Sequence, residues 1–316
     1  MILSVDLGGT KCIFALYQET QGLTAVKSEQ HPTKELSSLS IEIKKFLAHL
    51  NEPITKAGIA LAGAIKDDSC YLPNPNLTLH FQAVRAELSF IPDIRFYNDA
   101  EAMIFGIRQL PKQSLLPVKQ GTKSSTGCIS LLAPGTGLGE SSLRNHTILS
   151  GEGGHCDFAP QTQLQWELAM FLQARQDHVC CEQLLSGPGI VNIFDFLKTK
   201  YGKPNLSYTP QQISEKALSH TCHLCESTYQ LFFELLGAEA GNLALRSNAL
   251  GGIYLGGGIL PKIVPLLQGS SFIDSFLKKG NYRFFMEQIP VYLILDPMSV
   301  VIGAAHLANE PTEMFC

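Results

Sequence analysis

The sequence predicts an α/β fold built from two related halves, and three observations lead to this prediction. The chain has 316 residues, which is too many for one ordinary hydrophobic core and suits two lobes. Short apolar strands alternate with amphipathic helical segments. A strand, a glycine-rich turn and a second strand occur at the amino terminus and again near the middle of the chain, so the second half repeats the pattern of the first.

The amino-terminal glycines are predicted to lie in a β-hairpin. Apolar residues 2–5 form a strand, DLGGTK forms a turn, and CIFALY forms a second strand. A nucleotide-binding P-loop and a dinucleotide-binding loop both run into a helix, and no helix follows these glycines. The two commonest phosphate loops are therefore excluded here.

The rest of the first half alternates helix and strand. Residues 35–50 place apolar side chains on one face of a helix, and residues 57–62 form a buried strand. Residues 94–97 form a strand that ends at Asn98 and Asp99, where helical spacing begins. A carboxylate at that point lies at the carboxyl end of a strand and at the start of a helix.

A segment rich in Pro, Lys and Ser, residues 109–126, is the predicted lobe boundary. We therefore predict a small lobe of residues 1–109 plus 297–316 and a large lobe of residues 110–296. In the large lobe, strand GCISLLA, turn PGTGLG and a short polar strand repeat the first hairpin. The next predicted elements are helices at 164–176, from Glu182 with a break at 187–189, and from Thr209. Residues 226–250 form one long helix or two stacked helices. A strand GGIYL, a helix ILPKIVPLL, a strand at 291–295 and a helix at 299–307 follow.

Composition excludes several classes of protein. Hydrophobic residues make up 45% of the chain and charged residues 16%, which is ample material for a packed interior. The formal net charge is −4 and no Lys/Arg cluster stands out, so no nucleic-acid partner is expected. The start MILSVDLGGT lacks the basic region of a signal peptide, and no apolar run is long enough to span a bilayer, so we expect a cytoplasmic protein without a membrane partner.

The nine cysteines are scattered from Cys12 to Cys316 and form no disulfide framework, which favours a reducing compartment. Cys222 and Cys225 form a C-x-x-C motif, a pattern that metal and redox sites also use. Their surroundings are predicted to be helical and no second ligand pair accompanies them. Buried helix cysteines are therefore the favoured interpretation.

Three glycine clusters are candidate nucleotide contacts. DLGGT and GTGLG each follow a buried strand and offer backbone N–H groups to an anion without interference from Cβ atoms. Thr10 and Thr136 add hydroxyl donors, and Asp6 could hold a metal ion. A single glycine turn is usually only a turn, so the hypothesis depends on finding two of the same form. Gly256–Gly258 would let a nucleobase approach the backbone, although a tight strand-to-helix turn is the simpler interpretation of that cluster alone.

Polar residues that could recognise a substrate lie at two places. Asp99 ends a strand, where ligands collect in α/β sheets, and the helix that follows favours its ionised form. On the local pattern alone, however, a helix-capping role is favoured. In GEGGHCDFAP, Glu152 and His155 flank two glycines and could bind ring hydroxyls together with Asn98 and Asp99. A metal site at His155 is less favoured because the spacing fits no common zinc pattern.

The order of these motifs resembles that of the bacterial glucokinases of the hexokinase/actin-like ATPase superfamily. The matching segments are DLGGTK, LPN, YND, GTGLG, GEGGH, CEQLLSGPG, LGGGI and GAAHL, which cover nearly the whole chain. GEGGH together with LLSGPG is specific to that group, whereas DLGGT is shared with many sugar kinases.

The resemblance implies two RNase-H-like lobes with a ligand cleft between them, phosphorylation of glucose at its 6-hydroxyl by ATP with Mg²⁺, and a homodimer. It implies that Asp99 is the general base. It assigns no metal ligand directly, although Asp6 could hold the Mg²⁺ that accompanies ATP. The implied sugar contacts are Asn74, Asn98, Asp99, Glu152, His155 and Glu182. The implied nucleotide contacts are Asp6, Gly8, Gly9, Thr10 and Lys11, then Gly135, Thr136, Gly137 and Gly139, and then Gly256, Gly257 and Gly258.

Several departures from the family pattern keep alternatives open. Glu140 follows GTGLG, where a carboxylate would repel ATP unless it points away. LPNPNLTL and Ala62-Gly63 differ on the sugar side. A kinase for another hexose or an amino sugar, a polyphosphate donor, and a catalytically weak sugar-sensing protein of the same fold therefore remain alternatives. The related repressor–ORF–kinase family carries a cysteine-rich zinc motif after its Glu-x-x-His segment, and because that motif is missing here we expect no structural zinc.

Overall fold

The computed structural model describes residues 1–19, 22–36, 38–72 and 76–311. Its strands are β1 (Ile2–Leu7), β2 (Lys11–Glu19), β3 (Leu23–Pro32), β4 (Lys56–Leu61), β5 (Ile65–Lys66), β6 (Ser69–Leu72), β7 (Leu77–His80), β8 (Asp93–Asn98), β9 (Leu115–Lys119), β10 (Ile129–Pro134), β11 (Leu138–Arg144), β12 (Thr147–Gly151), β13 (Gly252–Leu255) and β14 (Val291–Ile294). Its α-helices are α1 (Leu39–Leu47), α2 (Phe81–Glu87), α3 (Asp99–Gly106), α4 (Gln163–Gln173), α5 (Gly187–Lys200), α6 (Pro210–Leu218), α7 (His223–Ser247), α8 (Val264–Leu267), α9 (Phe272–Leu277), α10 (Arg283–Gln288) and α11 (Ser299–Asn309).

The chain separates into two compact units. Unit 1 consists of Met1–Lys112, His146–Ile148 and Asp296–Cys316, and unit 2 consists of Gln113–Asn145 and Leu149–Leu295. Each unit contains a sheet with its own hydrophobic core, so the α/β class predicted from the sequence is confirmed.

Unit 1 contains a five-stranded sheet in the order β3-β2-β1-β4-β8. The pairs β3–β2 and β2–β1 are antiparallel, and β4 and β8 continue the sheet in parallel with β1. All six residues of β1 are buried, because helices cover both faces of the sheet. A separate three-stranded sheet, β5-β6-β7, follows β4 in the chain.

Small residues bring the last helix against the helix that carries Asp99. A Cβ atom on Gly303 of α11 would overlap the carbonyl oxygen of Ala102 in α3, and one on Gly106 would lie 2.6 Å from the carbonyl oxygen of Ser299. These approaches are closer than any Cβ atom permits. The position of α3 in unit 1 therefore depends on glycine at both crossing points.

Unit 2 contains a six-stranded sheet in the order β12-β11-β10-β13-β14-β9. The strands β10, β13 and β14 are parallel, β11 pairs antiparallel with β10, and β9 pairs antiparallel with β14. Apart from β9, this strand order is the same as that of the five-stranded sheet. The predicted repeat of the first half is therefore present in the sheets.

The helices of unit 2 correct one prediction from the sequence. The segment Gly187-Pro188-Gly189 does not break a helix but begins α5, with the Ser186 side chain accepting a hydrogen bond from Gly189 N. Proline is favoured in the first turn of a helix, because its missing N–H is not needed there. The predicted helix at 226–250 is one helix, α7, with 25 residues. Within the described ranges, no helix combines the length and the apolar composition needed to cross a bilayer.

Candidate active site

The candidate residues of unit 1 gather at the carboxyl ends of three parallel strands. Asp6 lies at the end of β1, the turn with Gly63 follows β4, and Asn98 and Asp99 lie at the end of β8. Parallel strands place their carboxyl ends at one edge of a sheet, which is where ligands collect in such folds. Asn74, an expected sugar contact, lies outside the described residues.

The first glycine turn is a hairpin, as the sequence predicts, and Gly8 to Thr10 connect β1 to β2, which begins at Lys11. Gly8 N donates to Lys11 O at 3.0 Å. Thr33, which sequence reasoning missed, holds the turn from outside: its hydroxyl donates to Gly8 O at 2.7 Å and its N–H to Thr10 O at 3.0 Å. These bonds fix the backbone of the turn, in which Gly9 also lies.

Asn98 is the residue that caps α3. Its Oδ1 accepts from Ala100 N at 2.8 Å, and its own N–H donates to Glu101 Oε2 at 3.2 Å, which completes a capping box. Its Nδ2 also donates to Gly63 O at 3.1 Å, so the side chain joins the end of β8 to the turn after β4. The local sequence pattern favoured Asp99 as the helix cap, but in the structure Asn98 has that role.

Asp99 is the first residue of α3, and its Oδ1 accepts from Ala100 N at 2.8 Å. The helix start favours its ionised form. Asp6 is only 7% exposed, and burial together with the charge of Asp99 raises its pKa to about 7, although Lys11 lowers it. The two carboxyl groups therefore lie close enough to repel each other, and a cation or a proton at Asp6 would relieve that repulsion.

In unit 2, the second glycine turn is held by residues from two other segments. Gly135 N donates to Gly137 O at 2.8 Å, and Gly187 N donates to Gly135 O at 2.9 Å. Glu182 Oε2 accepts from Leu138 N at 2.9 Å, and a Cβ atom on Gly137 would lie 2.5 Å from that oxygen. Glu182 therefore braces the turn, a role that its position in the sequence did not indicate. Thr136 lies exposed in the same turn and Gly139 lies in β11.

The GEGGH segment packs against the same turn through its two glycines. A Cβ atom on Gly154 would overlap the carbonyl oxygen of Leu138, and one on Gly153 would overlap the carboxylate of Glu140. Glu152 and His155 are exposed at either end of this short 3-10 turn. The His155 Nδ1 lies 3.9 Å from Cys180 Sγ, two residues before Glu182.

The third glycine cluster joins this group. Gly256 N donates to Leu132 O at 2.9 Å. Gly257 has a φ of +80°, and a Cβ atom on it would overlap the carbonyl oxygen of Pro134. Gly258 is exposed beside them. Unit 2 therefore brings GTGLG, GEGGH, Glu182 and Gly256–Gly258 together at the carboxyl ends of β10 and β13.

Glu140, the departure from the family pattern, has a cation partner. Its Oε2 accepts from Arg246 Nη2 at 3.1 Å, and the same nitrogen donates to Glu239 Oε1 at 2.6 Å. Glu239 also accepts from Asn242 and Cys181, whereas Oε1 of Glu140 has no protein partner among the described residues. Burial and the nearby Glu239 raise the pKa of Glu140 to about 7. Its side chain is thus engaged with α7, and Arg246 compensates its charge within unit 2.

The family model described as Glucokinase matches residues 3–311. A glucokinase of Nostoc punctiforme is 37% identical over 96% of this chain and 98% of its own, and one of Saccharophagus degradans is 35% identical over 95% of each chain. The crystal structure of a glucokinase from an Antarctic psychrotroph superposes with a TM-score of 0.85 at 30% identity, covering 98% of both chains. A glucose complex of Balamuthia mandrillaris glucokinase, at 20% identity and a TM-score of 0.74, is similar in fold.

The raised pKa of Glu140 should make the free energy of unfolding depend on pH. Its pKa is about 7 in the fold against 4.5 for the ordinary side chain, so its stabilising contribution is complete below pH 4.5 and is lost as the pH rises through 7. The free energy of unfolding of Glu140→Gln should therefore increase relative to that of the parent as the pH rises from 5 to 8, by about 3 kcal/mol at most. Urea unfolding followed by fluorescence of the single tryptophan, Trp166 in unit 2, measures this.

The matched control is Glu287→Gln, because Glu287 forms an exposed pair with Arg283. Exposed pairs contribute about 0–1 kcal/mol, so its difference from the parent should be small and nearly independent of pH. An equal effect of Glu140→Gln at pH 5 and pH 8 would contradict the assignment.

Proposed function

The chain belongs to the glucokinase family, and from this premise we propose that it transfers the γ-phosphoryl group of ATP to the 6-hydroxyl of glucose, with Asp99 as the general base. The observation that carries the proposal is the position of Asp99 at the start of α3 and at the end of β8. There the helix start favours the ionised carboxylate that a base requires.

We propose that the two units are RNase-H-like lobes with the ligand cleft between them. The shared strand order of their sheets supports this, because each unit then presents the carboxyl ends of its parallel strands to ligands. Unit 1 would contribute Asn98 and Asp99 to the sugar, and unit 2 would contribute Glu152, His155 and Glu182. Asn98 has a second Nδ2 hydrogen beyond the one given to Gly63, so it can cap the helix and also donate to a hydroxyl.

The glycine turns would bind the nucleotide. Backbone N–H groups of Gly8–Lys11 and Gly135–Gly139 would donate to the phosphates, and Gly256–Gly258 would lie against the adenosine. Fixed backbone donors suit phosphoryl transfer, in which positioning and charge stabilisation supply most of the catalysis. Glu182 contributes here as well, because its bond to Leu138 N holds the second turn in place.

A magnesium ion fits the acidic end of unit 1. Asp6 is a buried carboxyl whose pKa is raised by its own burial and by Asp99, so a divalent cation close to it would restore the ionised form. When bound with ATP, Mg²⁺ neutralises charge on the phosphate oxygens. Lys11 lowers the pKa of Asp6, so positive charge near this carboxyl stabilises its ionised form.

Asp99 performs the proton transfer. As the sugar oxygen closes on phosphorus, its proton passes to the Asp99 carboxylate, and polar groups on both units hold the ring in line. Exclusion of water from the site would prevent hydrolysis of ATP in place of transfer. Hydrogen bonds to individual hydroxyls would select the sugar.

We also propose that the protein works in the cytoplasm as a homodimer. None of the eight described cysteines forms a disulfide, which supports a reducing compartment. The dimer rests on the resemblance to the family alone. Light scattering during size-exclusion chromatography measures the assembly, and a monomeric mass would contradict it.

Asp99→Asn tests the general base. The substitution keeps the size of the side chain, and because Asn98 caps α3 the helix start should persist. We expect turnover to fall by about 10²- to 10⁴-fold, with glucose affinity changed far less. A coupled assay of ADP release and calorimetric titration of glucose measure the two quantities. Asp93→Asn, at the opposite end of β8, should leave turnover normal, and near-normal turnover in Asp99→Asn would refute the role.

Glu152→Gln tests the sugar contact on unit 2. Glu152 is exposed, so its replacement should not disturb the fold. Loss of a charged acceptor for a hydroxyl should raise the KM for glucose by about 10- to 100-fold. The same coupled assay over a panel of hexoses and amino sugars measures it, with the exposed Glu215→Gln on α6 as the control. An unchanged KM would remove Glu152 from the site.

A further inference from the structure

The C-x-x-C motif occupies a position that the sequence did not predict. Cys222 is not inside a helix but is the N-cap residue of α7, with φ −147° and ψ 102°, and Cys225 is the third residue of that helix. Side chains at the N-cap and at the third helical position lie next to each other, as they do in a capping box. The two thiols are therefore neighbours at the start of a 25-residue helix.

The two thiols differ in exposure. Cys222 is half-buried, whereas Cys225 is fully buried in the core of unit 2. A partly exposed thiol can meet a reactant from solution, and a buried neighbour can only react with that first thiol. Cys222 can therefore react first with an oxidant, and Cys225 can then form the disulfide with it.

The surroundings of Cys222 favour the thiolate. Burial raises the pKa of the Cys222 thiol, but the N–H groups of Cys225 and Leu224 at the helix start, the Cys225 thiol and the charge of Lys216 outweigh burial and lower it. Burial and Cys222 together raise the pKa of Cys225 to about 12, so this second thiol keeps its proton. The acidic neighbour, Glu226, is paired with His220 at 2.6 Å.

A metal site is the other use of such a motif, and the structure does not support it. Within the described ranges, no group of three or more His, Cys, Asp or Glu side chains is arranged to hold a metal ion. The other thiols are arranged differently. Cys156 is exposed and lies on a segment bridged to Cys180 and Cys181, which are adjacent in the sequence. Burial raises the pKa of Cys12 and that of Cys181.

We propose that Cys222 and Cys225 form a redox-active dithiol, which a peroxide oxidises to a disulfide at the start of α7. The Cys222 thiol releases its proton to solvent, and its thiolate attacks one oxygen of hydrogen peroxide. The O–O bond breaks and a sulfenic acid forms, while the hydroxide that leaves takes up the proton that Cys222 released and becomes water. Cys225 sulfur then attacks Cys222 sulfur, the S–O bond breaks, and the hydroxide that leaves takes the Cys225 proton. Two thiols lose two electrons in total, and peroxide becomes water.

This modification site lies at the opposite end of α7 from the ion pair that packs against the GEGGH segment. Arg246, which pairs with Glu140, lies near the far end of α7, and a helix of 25 residues is about 37 Å long. A disulfide between the N-cap and the first turn leaves the rest of the helix intact. The state of the thiols is therefore the proper readout, and kinase activity serves only as a check of folding.

Oxidation of Cys222 and Cys225 can be measured on a single tryptic peptide. Trypsin cuts after Lys216 and Arg246, so one peptide, residues 217–246, contains Cys222 and Cys225 and no other cysteine. The full-length protein is treated with increasing hydrogen peroxide, alkylated under denaturing conditions, digested and weighed by mass spectrometry. We expect this peptide to carry no alkyl group and to weigh two hydrogen masses less than the unalkylated dithiol peptide, at peroxide at least about tenfold lower than any other cysteine peptide requires. Dithiothreitol should reverse the change.

Three variants make the result decisive, with circular dichroism to verify the fold. Cys222→Ser should leave Cys225 reduced and fully alkylated. Cys225→Ser should leave a sulfenic acid on Cys222 that dimedone captures. Cys156→Ser, which removes an exposed cysteine elsewhere in unit 2, should not alter oxidation of the pair. The proposal is overturned if the peptide stays alkylated at peroxide that oxidises Cys156, or if Cys225 oxidises equally in Cys222→Ser.

Discussion

The parallel pairing of strands is the constraint on which the candidate site depends. Because β1, β4 and β8 run in one direction, Asp6, the turn at Gly63 and the start of α3 meet at one edge of the sheet in unit 1. In unit 2, β10 and β13 align in the same way and bring two glycine clusters together. Residues far apart in the sequence become neighbours through backbone hydrogen bonds, and side chains only refine that arrangement.

In unit 2, closely packed glycines and one buried carboxylate with its arginine partner determine how the turns pack together. Gly137, Gly153, Gly154 and Gly257 all lie where a Cβ atom would overlap a neighbouring oxygen or nearly so, so the turns approach more closely than other residues allow. That closeness leaves Glu140 without access to bulk water, and Arg246 supplies the compensation. The loop packing and the ion pair therefore depend on each other.

Local patterns in the sequence predicted the hairpins, the strands before each turn and the helical character of α7, because apolar periodicity and glycine placement are properties of neighbouring residues. They did not decide between one long helix and two stacked helices at α7. Contacts over long separations could not be predicted that way. Thr33 holds the first glycine turn and Glu182 the second from positions that carry no local motif. The local pattern favoured Asp99 as the cap of α3, although Asn and Asp both suit that position. Only the fold shows that Asn98 is the cap.

Two carboxyl groups with raised pKa values make the charge of the folded protein differ from the formal charge that its composition gives. The formal charge of −4 counts Asp6 and Glu140 as ionised. Because both pKa values are raised, these two carboxyl groups bind more protons near neutral pH in the ligand-free fold than they do in the unfolded chain. On folding near neutrality these two carboxyl groups therefore take up protons from the buffer, and they contribute less negative charge to the folded protein than its amino-acid content indicates.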